Sequence, residues 1–336
     1  MEKSKIYKLA RKLLFIFPPE ISQSLSHVFL KIFSWAYRKE STSFDIKGLK
    51  VKNRLGLAAG LDKNGDLIKE FDNIGFGFIE IGTVTPEPQA GNPKPRIHRL
   101  AEHDSLVNSL GFPNQGMKRI SSRLQGLSDD ICLGINIGPN KNNATENPIN
   151  DYLECYKNLY EYADFVTLNI SSPNTPNLRK LHSVAVLSEI VSAILEERNK
   201  YEYRPKILLK ISPDEQINTY EKLVNIINST EIDGVIVTNT TNSEALKKRA
   251  NAEHLPGGIS GRLLNESSNK ILKEIKSIIN TEKIIVAVGG VYDVDSYNEK
   301  IDLGADLVQM YTGLIYEGPN LVKRIIKNGK QISSNS

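Results

Sequence analysis

Asp164-Phe-Val-Thr-Leu-Asn169 runs directly into Ile170-Ser-Ser-Pro-Asn-Thr-Pro-Asn177. The first six residues are mainly apolar and β-rich, the composition of a buried strand. In Asn169–Asn177 stand two hydroxyl-bearing serines, two prolines and three asparagines. Proline fixes its own φ and pushes the residue before it into an extended conformation, so this loop is stiff. A stiff loop can be a simple turn that leaves a strand, or it can hold a hydroxyl and several amides in place over a pocket. The neighbouring strands decide between these readings.

Apolar strands are expected at 55–59, 77–82, 131–137, 164–170, 206–211, 233–238, 284–288 and 306–311. Helical patterns follow near 65–73, 113–124, 148–161, 183–199, 214–228, 262–279, 293–303 and 317–328. Eight strand–helix units in order predict an α/β fold, a (β/α)8 TIM barrel with parallel strands. An open doubly wound sheet has less support: Gly75-Phe-Gly77 begins a dinucleotide fingerprint, but position 80 is Glu where the third glycine belongs. Two connections, Thr83–Gly116 and Asn239–Arg262, are long enough to suggest a functional role.

In such a barrel the active site forms at the C-terminal strand ends. Those ends read Ala58-Ala-Gly-Leu-Asp-Lys63, Glu80-Ile-Gly-Thr-Val-Thr85, Gly134-Ile-Asn136, Asn169, Leu209-Lys-Ile-Ser-Pro213, Val237-Thr-Asn-Thr240, Val288-Gly-Gly290 and Met310-Tyr-Thr-Gly313. Singly, an Asn or Thr here is a cap and a lysine is exposed. Together they bring two lysines, several amides and glycine-rich turns to one mouth. The turns after the seventh and eighth strands suit a phosphate, and the amide-rich mouth suits a planar ring with many acceptors, such as a flavin or a pyrimidine. Asp62-Lys-Asn-Gly-Asp66 echoes a calcium loop, but Leu67 and Asn73 stand where glycine and glutamate are required, so no metal is expected.

The chain has 336 residues and a net charge of +4, of which residues 1–40 carry +5 (eight Lys/Arg against three Glu), so nucleic acid is not an expected partner. Residues 5–17 and about 20–38 form an amphipathic helical hairpin broken at Pro18-Pro19. It is too short in apolar run for a membrane span. A basic amphipathic hairpin can lie on an anionic membrane surface, or it can pack on the main domain; both readings stay open. Ser41–Asn53 reads as a polar linker with strand-like character at its end, and as a domain boundary. The domains are therefore a hairpin over 1–40, a barrel over 41–330 and a tail over 331–336. Cys132 and Cys155, far apart and in no metal or redox spacing, read as buried reduced thiols, consistent with a cytosolic compartment.

The stretches Leu57–Lys63, Ile79–Pro86, Asn169–Pro176, Thr238–Thr241, Gly257–Arg262 and Val288–Gly290 carry a resemblance. The chain resembles the dihydroorotate dehydrogenases, specifically the membrane-associated, quinone-linked class of the pyrimidine pathway, over nearly its whole length. The resemblance implies one FMN per chain and oxidation of dihydroorotate to orotate on the way to UMP, with a membrane quinone as terminal oxidant. It implies a monomer bound peripherally, through residues 1–40, to the cytoplasmic side of the cell membrane, with the hairpin forming a quinone tunnel.

By position, the implied FMN contacts are Ala59, Gly60, Leu61, Asp62, Lys63, Thr83, Asn136, Asn169, Lys210, Thr238, Gly261, Gly290, Tyr311 and Thr312. The implied substrate contacts are Lys63, Asn108, Ser109, Leu110, Gly111, Phe112, Asn169, Asn174, Asn239 and Thr240. Ser172 aligns with the family's catalytic base, a position that is cysteine in the water-soluble classes. Arg99 and Tyr311 are placed to meet the quinone head. The chemistry needs a carbon-bound proton to leave as hydride departs from the neighbouring carbon. A serine hydroxyl is a poor base, so Thr175 and a trapped water are expected to relay the proton while Phe112 excludes solvent. Lys63 would pair with the substrate carboxylate, and Lys210 would stabilise negative charge on the reduced flavin.

Two stretches depart from the quinone-linked pattern. In Asn108-Ser-Leu-Gly-Phe-Pro-Asn114, serine stands for a usual arginine and proline for a usual asparagine, and Thr312 replaces a usual serine. The rival readings are a soluble-class enzyme using fumarate or another acceptor, a flavin-dependent tRNA dihydrouridine synthase, and a non-enzymatic membrane-surface adapter.

Overall fold

A computed structural model describes residues 3–37, 43–143, 147–171 and 184–331. The chain opens with α1 (Lys3–Leu14) and α2 (Pro19–Phe33), followed by a short 3-10 turn. The first helix ends earlier than its apolar spacing predicts because Pro18 holds an extended backbone at φ −50°, ψ 145°. A small antiparallel ribbon comes next, β1 (Phe44–Ile46) and β2 (Leu49–Val51).

The chain then alternates through β3 (Leu55–Leu57), α3 (Ile68–Ile74) and β4 (Phe78–Val84). A first excursion carries β5 (Ile97–Leu100) and β6 (Ser105–Asn108) before α4 (Met117–Leu124), β7 (Leu133–Ile137), α5 (Pro148–Leu159) and β8 (Phe165–Asn169). Then come α6 (Val184–Arg198), β9 (Lys206–Ile211), α7 (Ile217–Ser229) and β10 (Gly234–Val237). A second excursion carries α8 (Glu244–Arg249) and β11 (Gly258–Gly261), and the chain finishes with α9 (Asn265–Ile278), β12 (Ile284–Val288), α10 (Val294–Asp302), β13 (Leu307–Met310), α11 (Thr312–Glu317) and α12 (Pro319–Asn328).

Eight strands close into a parallel barrel in the order β10-β12-β13-β3-β4-β7-β8-β9, as the strand–helix alternation predicts. Closure explains why the strands are almost uniformly apolar: helices cover the outside and side chains fill the inside. Leu133–Ile137 and Ile284–Val288 are buried at every position. The two long connections are not irregular loops. Their strands pair into one antiparallel sheet, β11-β6-β5, with Gly258 opposite Asn108 and Gly261 opposite Ser105.

The other end of the barrel is sealed by the β1–β2 ribbon, whose Ile46, Leu49 and Val51 join Phe78, Phe165, Leu208 and Leu307 in one apolar cluster. Phe78 and Phe165 meet edge to face at 6.2 Å between ring centres. Two glycines make room for them. A Cβ on Gly56 would lie 2.3 Å from the Phe78 ring, and one on Gly134 would lie 2.0 Å from the Phe165 ring.

The N-terminal hairpin packs beside the opposite, C-terminal end of the barrel. Tyr7 donates its hydroxyl to Ile315 O at 2.7 Å, and Arg11 Nη1 donates to Tyr316 O at 2.6 Å. Glu20 pairs with Arg96 Nε at 2.9 Å. Arg99 donates to Phe17 O and Ser22 Oγ and lies 4.3 Å from the Phe15 ring centre. The other face of the hairpin is apolar and open: Leu13, Ile16, Val28, Phe29 and Ile32 are exposed, and Trp35 is 70% exposed. No helix among the described residues is long and apolar enough to cross a membrane.

The packing around Gly134 gives a direct test. Gly134→Ala should destabilise the protein by about 1–3 kcal/mol through overpacking against Phe165. Urea denaturation of the variant and the parent measures it; an unchanged midpoint would contradict the steric account.

Candidate functional site

The C-terminal strand ends surround a cavity of about 920 Å³, including solvent at its mouth. Its wall includes Ala58–Gly60 and Lys63 after β3, Thr83 on β4, Asn169 on β8, Lys210 on β9 and Thr238–Thr240 after β10. Gly289-Gly290, Tyr311-Thr312-Gly313 and Gly261 complete it, and Asn108 with Leu110–Phe112 covers it from the first excursion. Of the implied cofactor residues, the cavity thus gathers Ala59, Gly60, Lys63, Thr83, Asn169, Lys210, Thr238, Gly261, Gly290, Tyr311 and Thr312. Of the implied substrate residues it gathers Lys63, Asn108, Leu110, Gly111, Phe112, Asn169, Asn239 and Thr240.

Four of the expected residues stand behind this wall, for identifiable reasons. Leu61 is part of the apolar core. The Asp62 carboxylate turns away to accept the Asp66 and Leu67 amides at 2.8 and 2.7 Å, ahead of α3. Asn136 is fully buried one layer down, where Thr83 Oγ1 donates to its Oδ1 at 2.6 Å. Ser109 is consumed by the roof: its amide donates to Arg96 O and its carbonyl accepts from Asn92 Nδ2 at 2.9 Å. Ser172, Asn174 and Thr175 lie outside the described residues. Ser171 is fully buried, and its Oγ accepts from Asn239 Nδ2 at 3.1 Å.

The electrostatics of the cavity are one-sided. Among the described residues, neither the Lys63 nor the Lys210 ammonium has a hydrogen-bond or ionic partner, and both residues line the wall. Burial pulls the Lys63 ammonium down to about 8, helped by the nearby charges of Arg96 and Lys210. A site that keeps two cations close together without a carboxylate is built for an anionic or electron-accepting occupant. Gln309 Oε1 and Thr240 Oγ1, both on residues of the wall, are buried without partners among the described residues. A buried polar atom is costly to leave unpaired, so Gln309 Oε1 calls for a donor from a ligand and the Thr240 hydroxyl for a donor or an acceptor.

The turns provide the rest of the cradle. Gly289 and Gly290 adopt φ of 115° and 77°, and a Cβ on Gly290 would lie 2.3 Å from the Asn265 Cα. Glycine is needed there on both counts. The hydroxyls of Ser260 and Thr312 meet at 2.9 Å beside them. Beneath the turn, Lys300 is fully buried and donates to Ser268 Oγ and Asn269 Oδ1, both at 2.6 Å, and Ser268 Oγ donates to Gly289 O. Phe112 covers the mouth in the left-handed region, φ 52°, with its carbonyl accepting from Gln89 and Asn114 side-chain amides. A bulky residue in that region is strained, and the two amides offset the strain.

Residues 41–332 match the family model described as "Dihydroorotate dehydrogenase". The chain belongs to the dihydroorotate dehydrogenase family. Curated relatives named "Dihydroorotate dehydrogenase (quinone)" agree: one from Aliivibrio salmonicida is 39% identical over 96% of this chain and 99% of its own, and one from Dichelobacter nodosus is 42% identical over 96% and 97%. A crystal structure of the Eimeria tenella dihydroorotate dehydrogenase in complex with ferulenol superposes with a TM-score of 0.86 at 34% identity, covering 92% of this chain and 90% of that one. Members of this family are flavin-dependent oxidoreductases, and the donor set fits a flavin. Lysines, orphaned polar atoms and glycine turns match a polyhydroxylated, phosphorylated cofactor with an electron-poor ring.

Sequence reading passed over Glu80, Gln309, Ser260 and Lys300 as working residues. The signal was present for three of them: a charged or amide side chain inside an apolar strand or helix face must find a partner in the core.

Lys300 yields a pH test. Burial lowers its pKa from 10.5 to about 7. Between those values the unfolded chain holds a proton that the folded chain has released, so stability rises with pH across that window. Lys300→Met removes this dependence. The stability difference between parent and variant should therefore change by about 2 kcal/mol between pH ~7 and ~9, read by urea denaturation at each pH. A constant difference would mean that Lys300 titrates normally in the fold.

Proposed function

We propose that this protein oxidises dihydroorotate to orotate in pyrimidine biosynthesis, with FMN in the barrel mouth and a membrane quinone as terminal oxidant. The observation that carries this reading is the meeting of two lysines, unpaired among the described residues, with a row of oriented amides in one cavity. The chemistry that FMN supplies when bound is acceptance of the hydride and onward delivery of the electrons. In this reading Gly290, Gly261 and Thr312 receive the phosphate end, while Lys210, Thr83 and Asn169 meet the ring system. Lys63 holds the substrate carboxylate as a protonated ammonium. Asn108, Asn239 and Thr240 position the ring amides of the substrate, joined by Asn174. Ser172 takes the carbon-bound proton as the hydride leaves and gives up its own hydroxyl proton, through Thr175, to a trapped water. Phe112 closes the roof, which keeps bulk water from competing for the proton.

The hairpin supports the choice of oxidant. Its packed face is tied to the first excursion, where Arg96 pairs with Glu20 and Arg99 of β5 donates to Phe17 O, and its open face carries Leu13, Ile16, Phe29, Ile32 and Trp35. An apolar face beside a segment of net charge +5 suits peripheral attachment to an anionic bilayer. A quinone dissolved in that bilayer would enter between the helices toward Tyr311.

Two experiments test the reading. Purified protein should be yellow and should bleach when dihydroorotate is added without oxygen; a colourless protein unable to bind FMN overturns it. With quinone, fumarate and NAD compared as oxidants, quinone should be preferred, and removing residues 1–40 should lower quinone reduction selectively. An equal loss with every acceptor would make the hairpin purely structural. Separately, Ser172→Ala should lower dihydroorotate turnover by about 10²–10⁴-fold while FMN stays bound. Full activity in that variant would remove Ser172 from the mechanism.

A further inference from the structure

Glu80 is fully buried inside the barrel and has no ion pair among the described residues. Its two carboxylate oxygens are taken by two side-chain amides: Asn136 Nδ2 donates to Oε1 at 2.7 Å, and Gln309 Nε2 donates to Oε2. An ionised carboxylate can only accept, whereas an amide can present either end. Glu80 therefore fixes which way both amides face. Asn136 must turn its carbonyl upward, where Oδ1 accepts from Thr83 Oγ1 at 2.6 Å and Asn169 Nδ2 at 3.1 Å. Asn169 must then present its own Oδ1 upward, where Asn239 Nδ2 donates to it at 3.3 Å. On the other arm, Gln309 must aim Oε1 away from Glu80, and that atom is buried without a partner among the described residues, on a residue of the cavity wall.

We propose that Glu80 is a positioning residue that sets the polarity of the cavity floor: it makes Gln309 an acceptor and fixes the sense of the Asn136–Asn169–Asn239 chain. This rests on the reading that a flavin occupies the cavity; an N–H or O–H of that cofactor supplies the donor that Gln309 Oε1 lacks. The top of the chain is pinned independently, because Asn239 Oδ1 accepts the Thr240 amide at 2.8 Å. Reversing Asn136 would thus set the amide group of Asn169 against that of Asn239. Reversing Gln309 is the easier response to losing the carboxylate, and it converts an acceptor on the floor into a donor.

Glu80→Gln tests this. The introduced amide can accept from one neighbour only, so Gln309 turns, and FMN affinity should fall about 10- to 100-fold, the scale of one mispaired buried hydrogen bond. The double variant Glu80→Gln/Asn136→Asp moves the acceptor-only carboxylate one step up the chain. The amide at position 80 then donates to the carboxylate at position 136 and accepts from Gln309. Both polarities are restored, so FMN affinity should return to within a few-fold of the parent. Equilibrium dialysis of FMN measures all three proteins. An unchanged Glu80→Gln affinity overturns the proposal, as does a double variant no better than the single one, the result expected if Glu80 were merely structural. Should Glu80→Gln not fold, the double variant decides alone: folding with parent-like FMN affinity supports the relay, and failure to do so rejects it. A parent protein that binds no FMN would instead reject the flavin reading.

Discussion

The structure depends on the closure of eight parallel strands. A parallel pair needs a crossover for each strand, so every strand begins at one rim and ends at the other. Closure leaves no unpaired edge, and it brings residues as distant in sequence as Lys63, Asn169 and Thr312 around one cavity. The two ends of the barrel then diverge in character. Phe78 and Phe165 pack over Gly56 and Gly134 at the sealed end, which a short apolar ribbon caps. The open end is polar, positively charged and roofed by a sheet made from both long excursions.

That polarity is ordered rather than merely present. Amides recur around the cavity, and an amide has no preferred sense until a neighbour imposes one. Glu80 from below and the Thr240 N–H from above impose it on the row between them. The two lysines play a different part. No described carboxylate pairs with them, so the charge they carry is available to whatever binds. Lys300, by contrast, spends its hydrogen bonds on Ser268 and Asn269 and stiffens the Gly289 turn from beneath.

The hairpin joins this site to its surroundings. Arg99 ties the break between the two helices to the first excursion, and Arg96 ties Glu20 to the same loop that holds the roof over the cavity. One face of the hairpin is thereby committed to the protein. The other keeps a run of large apolar side chains in the open, a costly arrangement in water that is relieved by an apolar surface.

Much of this was legible in the chain. Alternating apolar runs and amphipathic helices determined the barrel, because a buried parallel strand and a covering helix each leave a distinct period. The glycines, lysines and asparagines just past those runs marked the mouth, since the fold itself sends strand ends there. The sequence could not show that Thr83–Gly116 and Asn239–Arg262 pair with each other, because β6 and β11 are short and lie far apart along the chain. Nor could it separate residues on the wall from those behind it. Asp62 and Asn136 share motifs with true wall residues, but a helix N-terminus claims one and a buried carboxylate claims the other. Glu80 and Gln309 were visible as polar residues in apolar strands. Only the closed barrel, by placing β4, β7 and β13 around one interior, decided that they face each other and which way their amides point.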